Sequence, residues 1–178
     1  YYQNEPQLAY CLPCTPGRAN ALEGQAECPS CGAGQFSDDV AEQTCLPCAA
    51  GKSPGEGHTA CVSCPAGRFA ASIGANCTDC PRGYVRAGDD ANATRCTPCD
   101  PGTHQNDTGQ TACLPCTPGF AQGATGRALC VSCADTIQVS SGTRATVCST
   151  CTTGKYPGEG NTACVSCSAG RFASSIGA

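Results

Sequence analysis

The stretch CVSCPAGRFAASIGANC, residues 61–77, decides how the rest of the chain is read. It holds a Cys-x-x-Cys pair, a Gly three residues after the second Cys, an aromatic two positions later, a second Gly turn, and then the first Cys of another pair. Working outward in both directions, the same phrase returns until it has covered nearly the whole chain. Ten Cys-x-x-Cys pairs are present: Cys11/Cys14, Cys28/Cys31, Cys45/Cys48, Cys61/Cys64, Cys77/Cys80, Cys96/Cys99, Cys113/Cys116, Cys130/Cys133, Cys148/Cys151 and Cys164/Cys167. Their first cysteines are spaced 16 to 19 residues apart, and all 20 cysteines of the 178-residue chain belong to a pair. An even count at this density marks a covalently stapled scaffold.

Gly follows the second Cys at the same offset in nine of the ten repeats, as Gly17, Gly34, Gly51, Gly67, Gly83, Gly102, Gly119, Gly154 and Gly170; Thr136 is the exception. An aromatic one or two positions later (Phe36, Phe69, Tyr84, Phe120, Tyr156 or Phe172) can lie over the disulfide as a miniature core. Glycine supplies left-handed turns that fold so short a loop back on itself. A module of this size cannot bury enough apolar surface to offset the entropy of ordering it. A disulfide closing such a loop contributes about 3 kcal/mol, so covalent bonds are expected to dominate, with stacking on neighbours adding the rest. The expected fold is a small disulfide-rich tandem repeat, an extended rod of short β-hairpin and turn modules with almost no helix.

A longer period lies above the module. Residues 48–75 and 151–178 agree at 22 of 28 positions, so six modules make a super-repeat of 103 residues. Residues 1–10 read as an N-terminal segment or linker, and 11–178 as ten tandem modules with the last incomplete. A chain without an initiator Met that stops within a repeat is expected to be a segment of something longer.

Two pairing schemes fit the spacing. In the sequential one, the second Cys of each pair bonds the first Cys of the next, leaving Cys11 and Cys167 for neighbouring modules or other chains. In the interlaced one, adjacent pairs cross, as Cys11 with Cys28 and Cys14 with Cys31. Closure within a Cys-x-x-Cys usually marks redox-active sites, and ten such bonds in one chain are not expected. The sequential scheme is favoured because it encloses the Gly–aromatic loop within each module.

The phrases CPAGRFAASIGANC (Cys64–Cys77) and CGAGQFSDDVAEQTC (Cys31–Cys45) resemble the loops of tumour-necrosis-factor-receptor modules and ephrin-receptor-like cysteine-rich repeats. True receptor modules carry Cys-x-x-Cys-x-x-Cys triplets, which this chain lacks. Long tandem arrays with alanine- and glycine-rich loops are also similar to surface proteins of single-celled eukaryotes, such as ciliate immobilisation antigens and mastigoneme shaft proteins. That resemblance implies a structural or coat element.

Other chemistries find less support. Net charge is −4 with only two lysines, Lys52 and Lys155, so no basic cluster is available to neutralise phosphates, and nucleic acid is not expected as a partner. No stretch of 18 apolar residues can span a membrane. Five tetrathiolate zinc sites would also use every cysteine, and CPSCG (Cys28–Gly32) is a fair zinc phrase, yet the Gly–aromatic loops match disulfide modules better. His58 and His104 are expected to be solvated loop residues; the copy of His58 in the super-repeat is Asn161. Asp38/Asp39 and Asp89/Asp90 read as exposed turns with too few ligands for calcium. No catalytic residue, metal site or cofactor is assigned.

Asn76, Asn92 and Asn106 head Asn-x-Thr sequons, with Asn92 and Asn106 the better placed and Asn76 hindered by Cys77. Thr15, Thr97 and Thr117, each before a Pro, are weaker candidates for O-linked sugars. Dense cysteine with sequons implies the secretory route. The expected role is a structural subunit of a cell-surface filament, stalk or coat, not an enzyme, with N-linked glycans and with copies of itself or other surface structural proteins as partners. The alternative is a receptor-type ectodomain that binds a protein ligand.

Overall fold

The computed structural model describes residues 10–88 and 93–174. Among these, seven two-stranded antiparallel hairpins form and no α-helix does. Each hairpin belongs to one module. The strand after the module's Gly pairs with the Cys-x-x segment that opens the next: Gln35–Phe36 with Leu46–Pro47, Arg68–Phe69 with Thr78–Asp79, and Phe120–Ala121 with Val131–Ser132. Two further modules are closed by single bridges, Arg18 to Ser30 and Val139 to Ser149. Strands of two or three residues are all that a 16- to 19-residue module has room for, because both ends must return to the disulfide.

Second cysteines bond the first cysteines of the next pair. The bonds are Cys14–Cys28, Cys31–Cys45, Cys48–Cys61, Cys64–Cys77, Cys99–Cys113, Cys116–Cys130, Cys133–Cys148 and Cys151–Cys164, with partners 13 to 15 positions apart in sequence. Cys80 and Cys96 are disulfide-bonded too. Cys11 and Cys167 are free, and no bond of the interlaced kind forms among the described cysteines.

The interior differs from the one expected. Phe120, Tyr156 and Phe172 are 40%, 47% and 88% exposed and Phe36, Phe69 and Tyr84 are only half-buried, so none of these aromatics is a fully buried core residue. The largest fully buried side chains are instead Cys14, Cys48, Cys80, Cys99, Cys116, Cys133 and Ser37. The physical reason is size: a loop tied at both ends to its disulfide, with the bonded cysteines only 13 to 15 positions apart, encloses sulfur and small side chains but no ring. Aromatics take the cross-strand position, where Phe36 faces Leu46 and Tyr156 faces Val165.

The chain divides into two compact units, one of residues up to Asp79 with Ala87–Cys96, the other of Cys80–Arg86 with Thr97 onward. The segment that recurs 103 residues on begins at Cys48 in the first and at Cys151 in the second. In the first, Lys52–Pro54 pairs with Cys61–Ser63 and a 3-10 turn covers Glu56–His58. In the second, Lys155–Pro157 pairs with Cys164–Ser166 in the same register and the turn covers Glu159–Asn161.

Candidate functional site

The contact between modules is what this architecture repeats, and it is built from backbone. Within a module, the N–H of the closing pair's second Cys donates to the Gly carbonyl: Cys31 to Gly17 at 2.9 Å, Cys48 to Gly34 at 2.8 Å, and Cys116 to Gly102 at 2.9 Å. The same Gly N–H donates outward to the following module, from Gly17 to Ser37 at 2.7 Å, Gly51 to Ala70 at 2.8 Å, and Gly119 to Ser140 at 2.8 Å. A turn in that following module donates back to the buried Cys carbonyl: Gly74 to Cys48 at 2.7 Å, Gly126 to Cys99 at 2.8 Å, and Arg144 to Cys116 at 2.8 Å.

A third contact reaches one module further. A Cβ placed on Gly17 would strike the Gly57 carbonyl oxygen, and one on Gly34 the Gly74 oxygen. In the second unit, Gly83 meets Gly126, Gly102 meets Arg144 and Gly119 meets Gly160 in the same way. Each of these first glycines has φ between +72° and +85°. Two independent demands, a left-handed backbone and a neighbour against Cα, therefore fix glycine there. Thr136 departs from this rule. Cys133–Thr136 wind into a 3-10 turn, and the left-handed position moves to Ile137, at φ +53°.

The buried Gln105 and Gln122 hold the loops of their modules, which the cysteine grammar did not expose. Gln105 Nε2 donates to the Ala112 carbonyl at 2.8 Å while its Oε1 accepts from Asp107 N–H at 3.1 Å. Gln122 bridges Leu129 and Ala124 in the same way, at 2.7 and 3.1 Å. Each amide spans the open loop of its module. Both glutamines stand three residues after the module Gly, a shared offset that would have revealed them.

The two histidines are half-buried and not solvated loop residues. His104 sits in the strand Thr103–His104 with Nδ1 3.2 Å from Cys130 Sγ. That strand position faces the next module's disulfide, as Ser53 Oγ does at 3.1 Å from Cys77 Sγ. His104, Cys116 and Cys130 place three ligand-type atoms within 4.8 Å of one another, but the two sulfurs are bonded to each other and neither is a thiolate. His58 ends its 3-10 turn at φ +57°, with Nδ1 buried and unpartnered. In the matching turn, Asn161 at φ +55° donates from Nδ2 to the Gln138 carbonyl at 2.8 Å.

Asn76 and Asn106 are exposed. Thr78 of the first sequon is in a strand and donates to the Phe69 carbonyl at 3.3 Å, whereas Thr108 of the second lies exposed in a bend. Asn92, Asp89 and Asp90 fall outside the described residues. Asp38 and Asp39 are exposed, and Asp39 Oδ1 accepts from Val40 N–H at 2.7 Å, capping its own turn. Thr15, Thr97 and Thr117 are exposed. No described helix is long and apolar enough to cross a membrane. No family model matches the chain, and no curated protein matches it.

Proposed function

We propose that this chain is a secreted or cell-surface structural element, a length of filament, stalk or coat in which successive modules transmit load. The observation that carries this reading is the uniform use of the module surface. The same Gly N–H, Cys carbonyl and turn are committed to neighbouring modules in both units. A ligand-binding ectodomain would concentrate large apolar or Arg side chains on one module, whereas here exposed Leu46, Val62, Leu114, Val131 and Val165 recur at one position of the repeat.

Dense disulfide bonding fits an oxidising compartment. Sequons at Asn76 and Asn106, together with Asn92, suit a glycosylated surface, with Asn106 the best exposed acceptor. The likeness to ephrin-receptor-like and protist surface arrays agrees with this role, which needs no cofactor and no catalysis. Electron microscopy of native, non-reduced material tests it. Filaments or a lattice with a cysteine-rich repeating subunit are the expected result. Separate particles that do not assemble across a wide concentration range would overturn the proposal in favour of the receptor-type ectodomain.

A further inference from the structure

One position of the repeat can face the disulfide of the module that follows. It stands two residues after the module Gly, on the first strand of the hairpin. Ser53 holds it in the first unit, with Oγ 3.1 Å from Cys77 Sγ, and His104 in the second, with Nδ1 3.2 Å from Cys130 Sγ. Every other module Gly is followed at that offset by Ala, Phe, Val or Tyr. His104 is thus the one basic side chain the repeat places there, and it stands beside the Cys116–Cys130 bond.

The two sulfurs of that bond are not equally open. Cys116 is fully buried and Cys130 half-buried, and a His104 ring nitrogen lies within 4.8 Å of both. A thiol arriving from solvent therefore meets Cys130 Sγ, and Cys116 is the sulfur that must leave. A thiolate expelled into so buried a place is costly unless a cation or a proton meets it. Imidazole gains and loses its proton near neutral pH, so it can supply one. The Ser53 hydroxyl at the matching place keeps its proton in neutral water.

From this geometry we infer that Cys116–Cys130 is a thiol-exchange site, where a small thiol such as glutathione becomes bonded to Cys130 while His104 supplies the proton that Cys116 takes up. The glutathione thiolate attacks Cys130 Sγ, the bond to Cys116 breaks, and its electron pair stays on Cys116 Sγ. The His104 imidazolium passes its proton to that sulfur. The products are a Cys130–glutathione disulfide, a Cys116 thiol and a neutral imidazole. One disulfide is consumed and one is made, so the step needs no other oxidant or reductant. The inference concerns one bond and holds whatever the array is used for.

The test exposes the native 178-residue chain, its free thiols already alkylated, to reduced glutathione. Newly released thiols are trapped with an isotopically distinct alkylating reagent, and peptide mass spectrometry reads each bond. Cys130 should carry glutathione, and Cys116 the second reagent, about 10-fold sooner than Cys77 and Cys64 acquire them. His104→Ser, which installs the residue of the matching position, should remove that lead. Ser53→His should speed exchange at Cys77 by a similar factor, and the groove of about 440 Å³ that Ser53 and Cys77 line has room for the ring. Amide exchange at Cys116, whose N–H donates to the Gly102 carbonyl at 2.9 Å, should be unchanged in His104→Ser, which separates proton supply from a loosened module. Equal rates at the two bonds, glutathione on Cys116 instead of Cys130, or a lead that survives in His104→Ser would each overturn the inference. So would no gain in Ser53→His, or a slowing in His104→Ser matched by a shift in Cys116 amide exchange.

Discussion

Replacing Gly102 by Ala, with Gly154→Ala as its control, isolates the next-but-one contact from the conformational demand of the turn. Both residues are left-handed, at φ +79° and +80°, so each Ala carries a backbone cost of about 1–2 kcal/mol. Nothing lies within 4 Å of the Gly154 position, whereas a Cβ on Gly102 would meet the Arg144 carbonyl oxygen and sit 2.8 Å from its carbon. The turn around Arg144 must withdraw. It then gives up Arg144 N–H to Cys116 O, at 2.8 Å, and Gln122 N–H to Ala145 O, at 2.9 Å. Two such bonds at about 1 kcal/mol each make the Gly102 variant about 2 kcal/mol worse than its control. Amide hydrogen exchange on the disulfide-intact protein reads this locally. Protection of Gln122 and Arg144 should fall about 30-fold in Gly102→Ala, as every 1.4 kcal/mol is tenfold, with no comparable loss in Gly154→Ala. Equal effects on those two amides would refute the idea that modules two apart hold each other.

Three further outcomes follow from the same geometry. Gln122→Leu keeps the volume but strands the Leu129 carbonyl and the Ala124 N–H, and should cost about 1–3 kcal/mol, visible as faster exchange across residues 123–129. The double variant Cys99→Ser/Cys113→Ser opens a 14-residue loop and should lose about 3 kcal/mol, measured as increased protease cleavage within that module; Cys11→Ser, which breaks no bond in the chain, should leave cleavage unchanged. His58→Asn places a residue better suited to φ +57° in a turn whose copy uses Asn161 to bond the Gln138 carbonyl, and should stabilise by about 0.5–1 kcal/mol, read by exchange at Ser37, whose N–H donates to the position-58 carbonyl.

Much of the fold was legible in the spacing of cysteines. The hairpin follows from a Gly that must turn left and a pair that must return to it, and the short strands follow from loop length. The aromatics misled because a ring after a turn usually signals a core, yet here so short a loop encloses only sulfur and small side chains. The turn that answers each buried Cys is also hard to read. Gly74, Gly109 and Gly126 occupy it, but so do Ala41 and Arg144 at φ +60°, and nothing in their side chains announces that backbone. His104 looked solvated because its loop is polar, but its strand position points at the next disulfide. Gln105 and Gln122 were readable in principle, since they recur at one offset, although a polar residue between a strand and a turn ordinarily faces water.

The disulfide pairing also sets how far the protein can be stretched. Tension entering at Cys28 passes along two residues to Cys31, crosses a sulfur bridge whose Cα atoms are 5.6 Å apart to Cys45, and continues to Cys48. At about 3.5 Å per extended residue, that path gives each module roughly 16 Å of contour even after every hairpin has opened. The same module with reduced cysteines could pay out roughly 60 Å. The loops between bonded cysteines, with Gln105, Gln122 and the Asn106 sequon, lie in parallel with the bridges and are shielded from that tension. Oxidised, the array behaves as an inextensible strap; reduced, it lengthens about fourfold, so the redox state of its surroundings sets its slack.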